Sequence, residues 1–287
     1  MPSQPHSSDS LTDDHSYSGI ATHYLHSSSL PDLEARLGEL QFKDSMTLQD
    51  RLQIINSTIE EFTTGLPHDQ PISAPVSGPI RASIDYCFQP ANDITAVLDA
   101  LEGMIQLEDT HALKSIISPW AEKTKSTILQ RSPTSVRVAL RQLREGRRWT
   151  IAETFRNEHV IASKFMEHPD FVEGVSSLLI RKPKTTPQWK PASVEAVSDS
   201  EVDSFFNARP SLELLSTKDY GDYPHAWTGL PREQEVQEFV GAKRVGVQQV
   251  VEHFEQKTGG KMGVREKVSE ILDRKGDVVD GMVSWKR

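Results

Sequence analysis

Two helix-start signals in close succession constrain the fold of this chain more than any other feature. In SPTSVRVALRQLREGRRWTIAETFRNE, Ser132 precedes Pro133, and Thr150 stands three residues before Glu153. A serine hydroxyl can accept a hydrogen bond from an unpaired N–H of a helix start, and proline has no N–H to leave unpaired there. A Thr-x-x-Glu segment forms two reciprocal capping bonds. We therefore predict two consecutive helices, the first ending at Gly146.

Apolar side chains recur at helical spacing along most of the chain. The spacing predicts earlier helices, a helix opening at HPDFVEG, and a short helix from Ser198 to about Phe206. Two late helices are predicted over about 246–257 and 263–274. Since we find no long alternating run and no β-hairpin signature, the predicted fold class is mainly α. Closely spaced prolines between residues 65 and 90 predict a loop there.

Composition excludes several classes of protein. The chain has 32 basic and 41 acidic residues, a net charge of −9, which argues against a sequence-independent grip on nucleic acid. A single cysteine, Cys87, allows no internal disulfide. No apolar run approaches the roughly 18 residues of a membrane span, so we expect no membrane partner. Residues 1–18 are rich in Ser, His and Asp, which predicts disorder and matches neither a secretory signal nor a transit peptide.

Several segments together resemble a known family. SPTSVRVALRQLREG, an amphipathic helix, HPDFVEGVSSLLIRK and PQWKP follow one another in the order found in 3-hydroxyisobutyryl-CoA hydrolases. These enzymes belong to the crotonase (enoyl-CoA hydratase/isomerase) superfamily. GIATHY, at residues 19–24, also resembles the segment that follows the catalytic half of that family. The resemblance covers about residues 17–195.

The resemblance implies a fold and a limit on activity. It implies that the chain is the helical C-terminal part of a crotonase-like fold, with a small helical extension. In the family, the β-spiral core, the Gly-rich oxyanion turn and the catalytic carboxylates precede the GIATHY-like segment. The resemblance therefore implies a truncated hydrolase-like protein without its catalytic half, inactive in acyl-CoA thioester hydrolysis by itself.

The same comparison of motifs divides the chain into four parts. We predict a disordered N-terminus over 1–18, a hydrolase-like helical region over 19–195, an irregular linker over 196–230 and a helical extension over 231–287.

No residue is predicted to be catalytic, and three are candidates for the wall of a substrate pocket. Ser132 and Thr134 lie at a helix start, where helix capping is the alternative role. Glu158 falls on the apolar stripe of Ile151 and Phe155, where a desolvated carboxylate is a candidate functional group. The alternative for Glu158 is a buried ion pair with Arg137 or Arg141. We interpret His23 as structural, because no acidic or nucleophilic partner is assignable to it from sequence.

The resemblance also implies the partners. An acyl-CoA substrate would bind only with the catalytic half supplied, and we expect no cofactor and no metal. The fungal mitochondrial small ribosomal subunit contains a protein similar to this hydrolase, and LPREQEV, VVEHFEQKTGGKMGVREKV and VSWKR resemble its C-terminal extension. The implied alternatives are therefore a valine-catabolic hydrolase-like protein and a structural component of that ribosomal subunit, both mitochondrial. Exposed apolar helix faces also predict self-association.

Overall fold

The protein is mainly helical, with one small sheet near its C-terminus. The computed structural model describes residues 18–63, 77–208, 211–241 and 244–286. The predicted disorder of residues 1–18 therefore lies almost wholly outside the described residues. The helices are α1 (Leu30–Gly38), α2 (Leu48–Glu60), α3 (Gly78–Cys87), α4 (Ile94–Ile105), α5 (Lys114–Leu129), α6 (Pro133–Gly146), α7 (Ile151–Glu167), α8 (Pro169–Val175), α9 (Asp199–Ser204), α10 (Glu233–Val240), α11 (Val247–Lys257) and α12 (Val264–Lys275).

The predicted helix starts are present. Ser132 Oγ accepts a hydrogen bond from the Ser135 N–H at the start of α6, and α6 ends at Gly146 as predicted. At the start of α7, the Thr150 hydroxyl and the Glu153 carboxylate form both bonds of the capping box. The two late helices and the short helix from Ser198 are also confirmed.

Two compact units make up the chain. The described residues of 83–224 form one unit, and the described residues of 1–82 and 225–287 form the other. The boundaries predicted from family motifs follow homology rather than packing, and they stay a prediction.

The unit of residues 83–224 contains two apolar clusters. The first joins α4 and α5 through Val97, Leu101 and Ala121, each fully buried. The second joins α6, α7 and α9 through Val138, Ile161 and Val202. These clusters fix the relative positions of α6 and α9, which carry the charged groups described below.

The other unit has its core in the C-terminal extension. Buried valines of α10 and α11, Phe254 of α11 and the apolar face of α12 pack together with Val283. On the N-terminal side of the same unit, Glu60 of α2 pairs with Lys261, which lies in the turn between α11 and α12. The extension therefore contacts α2 through this ion pair.

The prediction of no β-hairpin is wrong in this extension. Strands β1 (Val245–Gly246), β2 (Gly276–Val279) and β3 (Met282–Trp285) form an antiparallel sheet in the order β1-β3-β2. Asp280 and Gly281, with φ of 51° and 73°, make the β2–β3 turn. Asp-Gly is a preferred pair for such turns, so the sequence VVDGMV carried a hairpin signal.

The predicted loop over 65–90 is also wrong in its described part. Helix α3 occupies Gly78–Cys87. Proline is tolerated in the first helical turn, and Pro79 is the second residue of α3. The next proline is Pro90, which follows the helix, so proline marks both ends of α3 rather than a loop.

Within the described residues, none of the helices combines the length and the apolar character that crossing a bilayer requires.

Candidate functional site

The segment HPDFVEG, which resembles the family, holds the later segment PQWKP in place through hydrogen bonds. Asp170, at the start of α8, is buried and accepts hydrogen bonds from the Ser132 hydroxyl at 2.6 Å and from the Lys190 N–H at 2.9 Å. These two bonds join the start of α6 to residue 190 of the segment that follows the helices. The Asp170 carboxylate is therefore a structural tether between three parts of the chain.

Glu173 is a second tether to the same segment. Its carboxylate accepts hydrogen bonds from the Ser177 hydroxyl at 2.7 Å, the Gln188 N–H at 2.9 Å and the Arg181 guanidinium at 3.0 Å. The hydrogen bond from Ser177, and then those from Gln188 and Arg181, lower the pKa of Glu173 to about 2. Glu173 is thus ionised at neutral pH, and it cannot serve as a general acid there.

The glycine and tryptophan of the motif fit against each other. A Cβ on Gly174 would lie 3.2 Å from the Trp189 ring, closer than most such contacts allow. The Trp189 indole N–H donates to the Gln130 carbonyl at 3.0 Å. Gly174 therefore makes room for the ring that fastens residue 189 to the end of α5.

The predicted pocket residues Ser132 and Thr134 are buried in hydrogen-bond networks. The Thr134 hydroxyl donates to Glu201 of α9 at 3.0 Å, and His168 Nε2 lies 3.3 Å from the same oxygen. Ser132 donates directly to the Asp170 carboxylate, and no described imidazole contacts its hydroxyl. That Ser132 and Thr134 wall an acyl-CoA pocket stays a prediction.

The predicted burial of Glu158 is wrong. Its side chain is exposed and accepts a hydrogen bond from Gln142 Nε2 at 3.1 Å. Helix α7 instead buries Ala152, Val160 and Ile161. The stripe predicted to be buried faces solvent in part, with Phe155 55% exposed.

The ion pairs proposed for Glu158 are also wrong. Arg137 pairs with Asp199, and Arg141 pairs with Glu145 at 2.6 Å and with Asp203. Both aspartates belong to α9, about sixty residues further along the chain. Helical spacing therefore could not predict these ion pairs. A role for Glu158 in a pocket wall stays a prediction.

His23 has the acidic partner that the sequence did not reveal. Its side chain is nearly buried, and Nε2 lies 3.0 Å from Glu60 Oε1, at ion-pair distance but without the alignment of a hydrogen bond. Glu60 also contacts Lys261. Although burial alone would raise it, the contacts with His23 and Lys261 leave the pKa of Glu60 below its usual range. The three side chains connect residues 19–25, α2 and the extension.

A charged cavity of the unit 83–224 lies beside α6. It has a volume of about 660 Å³ and lies between α6, the start of α4, residues 194–195 and α9. Its walls combine arginines, carboxylates and aliphatic side chains: Asp93, Ile94, Thr95, Arg137, Leu140, Arg141, Arg144, Val194, Glu195, Asp199, Val202 and Asp203. None of the three predicted pocket residues lines it.

Over the described ranges, no group of three or more His, Cys, Asp or Glu side chains could hold a metal ion. Cys87 is fully buried, and burial raises the pKa of its thiol, so it is a packed core residue rather than a reactive thiolate.

Comparison with known families agrees with the motif. The family model described as enoyl-CoA hydratase/isomerase matches residues 9–206. The chain belongs to the enoyl-CoA hydratase/isomerase family.

Three curated relatives show two kinds of similarity. "Small ribosomal subunit protein mS47" of Neurospora crassa is 43% identical over 279 residues, covering 94% of this chain and 54% of that protein. The protein of the same name in Schizosaccharomyces pombe is 33% identical over 171 residues, covering 60% and 36%. "3-hydroxyisobutyryl-CoA hydrolase, mitochondrial" of Gallus gallus is 33% identical over 196 residues, covering 68% and 45%. The chain thus spans about half the length, or less, of these relatives.

Proposed function

We propose that this hydrolase-like chain is a structural component of the small subunit of the mitochondrial ribosome. One observation carries the proposal. The Neurospora crassa small-subunit protein aligns over 94% of the chain, whereas the Gallus gallus hydrolase aligns over 68%. An alignment over 94% of the chain must include most of residues 231–287, so this extension is shared with a ribosomal protein.

The extension has the features of a docking module. It has its own buried core of α10, α11, α12 and β3, so it can present a fixed surface. On that surface, the Phe239 ring stacks on His253 at 4.0 Å between centroids, with Phe239 37% exposed. Exposed aromatic side chains on rigid elements favour partner binding, because they add contact area with little loss of entropy.

The family motif supports a structural role as well. Ser132, Asp170 and Glu173 all serve to fasten the segment that ends at Lys190. Such tethers stabilise a fold whether or not it retains catalysis. The mitochondrial location is part of the proposal, since the hydrolase relative is named a mitochondrial protein.

Sedimentation of mitochondrial extract tests the proposal. We expect the intact natural protein to co-migrate with the small ribosomal subunit, and a truncation after Leu230 to lose this co-migration. Since the truncation also removes core residues of its unit, a second variant should leave the fold intact. Phe239→Ala with His253→Ala removes the exposed aromatic stack, and Tyr223→Ala, an exposed aromatic outside the extension, is its matched control. An intact protein that never enters the small-subunit fractions would contradict the proposal.

A second candidate function is hydrolysis of an acyl-CoA thioester by the whole protein. The enoyl-CoA hydratase/isomerase match over residues 9–206 and the hydrolase relatives favour it. We propose that any such activity requires a catalytic half with an oxyanion turn and positioned carboxylates, and that substrate binds only when that half is supplied.

A further inference from the structure

The arginines of α6 have unequal partners in the cavity beside that helix. Arg137, Arg141 and Arg144 stand at spacings of four and three residues, so they share one face of α6. Arg137 pairs with Asp199, and Arg141 with Asp203 and Glu145. Arg144 forms no such pair with any residue in the described part of the chain.

One nitrogen of Arg144 is both buried and unpaired. Its Nη2 is closed off from solvent and has no hydrogen-bond partner among the described residues. Arg144 as a whole is half-buried, so its guanidinium is only partly solvated and has no ion-pair partner in the described chain to compensate. Arg144 lines the cavity of about 660 Å³, so an anion bound there would give the guanidinium that partner.

The cavity walls restrict the charge of that anion. Asp93, Glu195, Asp199 and Asp203 also line it, and only the last two are paired with arginines of α6. These carboxylates would repel a phosphate dianion or a nucleic-acid backbone. The lining holds four carboxylates and three arginines, so at most a single negative charge fits, at Arg144, the arginine without an ion pair among the described residues. A carboxylate matches the two-pronged geometry of a guanidinium.

The remaining walls restrict the body of the ligand. Ile94, Leu140, Val194 and Val202 give the cavity an apolar side. Its volume lies within the range of roughly 300–1,000 Å³ that is typical of small-molecule sites. An apolar chain attached to the carboxylate would bury itself against these four side chains.

We propose that the cavity beside α6 binds a small molecule with one carboxylate and an apolar body, through Arg144. This proposal is independent of the ribosomal role. It assigns Arg144 a binding role, and it leaves Arg137 and Arg141 as structural links to α9.

Titration with simple carboxylates tests it, with thermal unfolding of the full chain as the readout. We expect acetate, butyrate and hexanoate to raise the melting temperature, each at a lower concentration than the one before. The concentration required should fall by up to about fourfold for each added methylene. Inorganic phosphate should have little effect. No response to any carboxylate, or a stronger response to phosphate than to hexanoate, would overturn the proposal.

Two arginine variants locate the effect. Arg144→Met should abolish the response to hexanoate, and it should raise the melting temperature in the absence of ligand, because it removes a half-buried charge that has no ion-pair partner in the described part of the chain. Arg148→Met, at an exposed arginine outside the cavity, is the control and should keep the response. A hexanoate response that survives Arg144→Met would refute the assignment.

A measurement on the unmodified chain covers the case in which Arg144→Met does not fold. The methyl resonances of Ile94, in the cavity wall, should shift saturably with hexanoate, whereas those of Ile271, in the core of the other unit, should not. Unmoved Ile94 resonances at saturating hexanoate would also overturn the proposal.

Discussion

At the scale of single residues, the family motif is a set of hydrogen bonds that hold residues 188–190 in place. Asp170 and Glu173 each accept a backbone N–H from residues 188–190, and Gly174 leaves space for Trp189. The sequence predicted the positions of these residues as part of a motif and a helix start. Their partners lie 15 to 38 residues away, so spacing could not reveal them.

Removing the Ser132 hydroxyl should lower the free energy of unfolding by about 2 kcal/mol, since it removes a helix cap and a donor to a buried carboxylate. Urea denaturation of Ser132→Ala measures this. Ser198→Ala is the control, because Ser198 caps α9 at an exposed position. We expect the control to lose about 1 kcal/mol or less. Equal losses in the two variants would contradict the role of the Ser132–Asp170 bond.

Glu173 should make stability depend on acid pH. Its folded-state pKa is about 2, below the ordinary value of 4.5, so it stabilises the fold fully above about pH 5. That contribution is lost as the pH falls from about 5 towards 2. We therefore expect Glu173→Gln to melt at a lower temperature than the natural chain at pH 7, and this difference to shrink at pH 3.

Circular dichroism melts at pH 7, 5 and 3 measure the effect. Glu167→Gln is the control, since Glu167 is an exposed carboxylate that pairs at long distance with Lys164 of the same helix. A Glu173→Gln difference that stays constant from pH 7 to pH 3 would argue against the tether.

At the scale of elements, caps and turns decided what could be predicted. The starts of α6, α7 and α9 were predictable because their capping interactions are local. A Ser or Thr hydroxyl, and a Glu that follows it, bond to backbone groups within the same helix start. The face that α7 buries was not predictable, because it depends on Phe205 and other residues far along the chain. The β2–β3 hairpin had a local Asp-Gly signal, but its strands are only four residues each.

Two glycine-to-alanine changes should have opposite signs. A Cβ on Gly276 would lie 2.5 Å from Val283 Cγ2 and 2.6 Å from the Leu272 carbonyl oxygen, which cannot move freely. Gly276→Ala should therefore destabilise the α12–β2 junction by about 2 kcal/mol or more. Gly103, exposed in α4, has open space where a Cβ would stand, with no neighbouring atom within 4 Å. Gly103→Ala should stabilise by roughly 0.5–1 kcal/mol.

Urea denaturation followed by tryptophan fluorescence reports both changes, since Trp285 packs against the core of the extension and Trp120 packs against the cluster of α4 and α5. A neutral Gly276→Ala would mean that the α12–β2 junction is looser than its contacts indicate.

At the scale of the whole molecule, we expect residues 1–287 alone to release no CoA from 3-hydroxyisobutyryl-CoA. The reason is the proposed dependence on an oxyanion turn and carboxylate pair, for which the family resemblance assigns no residue of this sequence. Loss of a single oxyanion donor already slows such reactions by about 100-fold or more. A thiol-reactive dye measures CoA release, with the Gallus gallus mitochondrial hydrolase as the positive control. CoA release well above that of heat-treated protein would disprove the expectation.

Self-association is the last whole-molecule prediction, and it follows from exposed apolar side chains in one stretch of the chain. Phe155 and Met166 of α7 are 55% and 61% exposed, and Leu179 and Ile180, after α8, are 73% and 67% exposed. Apolar patches of this kind promote association, because contact removes them from water. We expect the purified chain to sediment as larger species as its concentration rises.

Substitutions on α7 separate apolar contact from charge as the cause of this association. Phe155→Lys should shift the chain towards monomer, since it removes a large exposed ring. Ser163→Lys adds the same charge at an exposed position of the same helix but leaves Phe155 in place, so it should associate as the natural chain does. Sedimentation velocity at several concentrations measures each species. A natural chain that remains a monomer throughout, or equal effects of the two lysines, would rule out the apolar face of α7 as the contact surface.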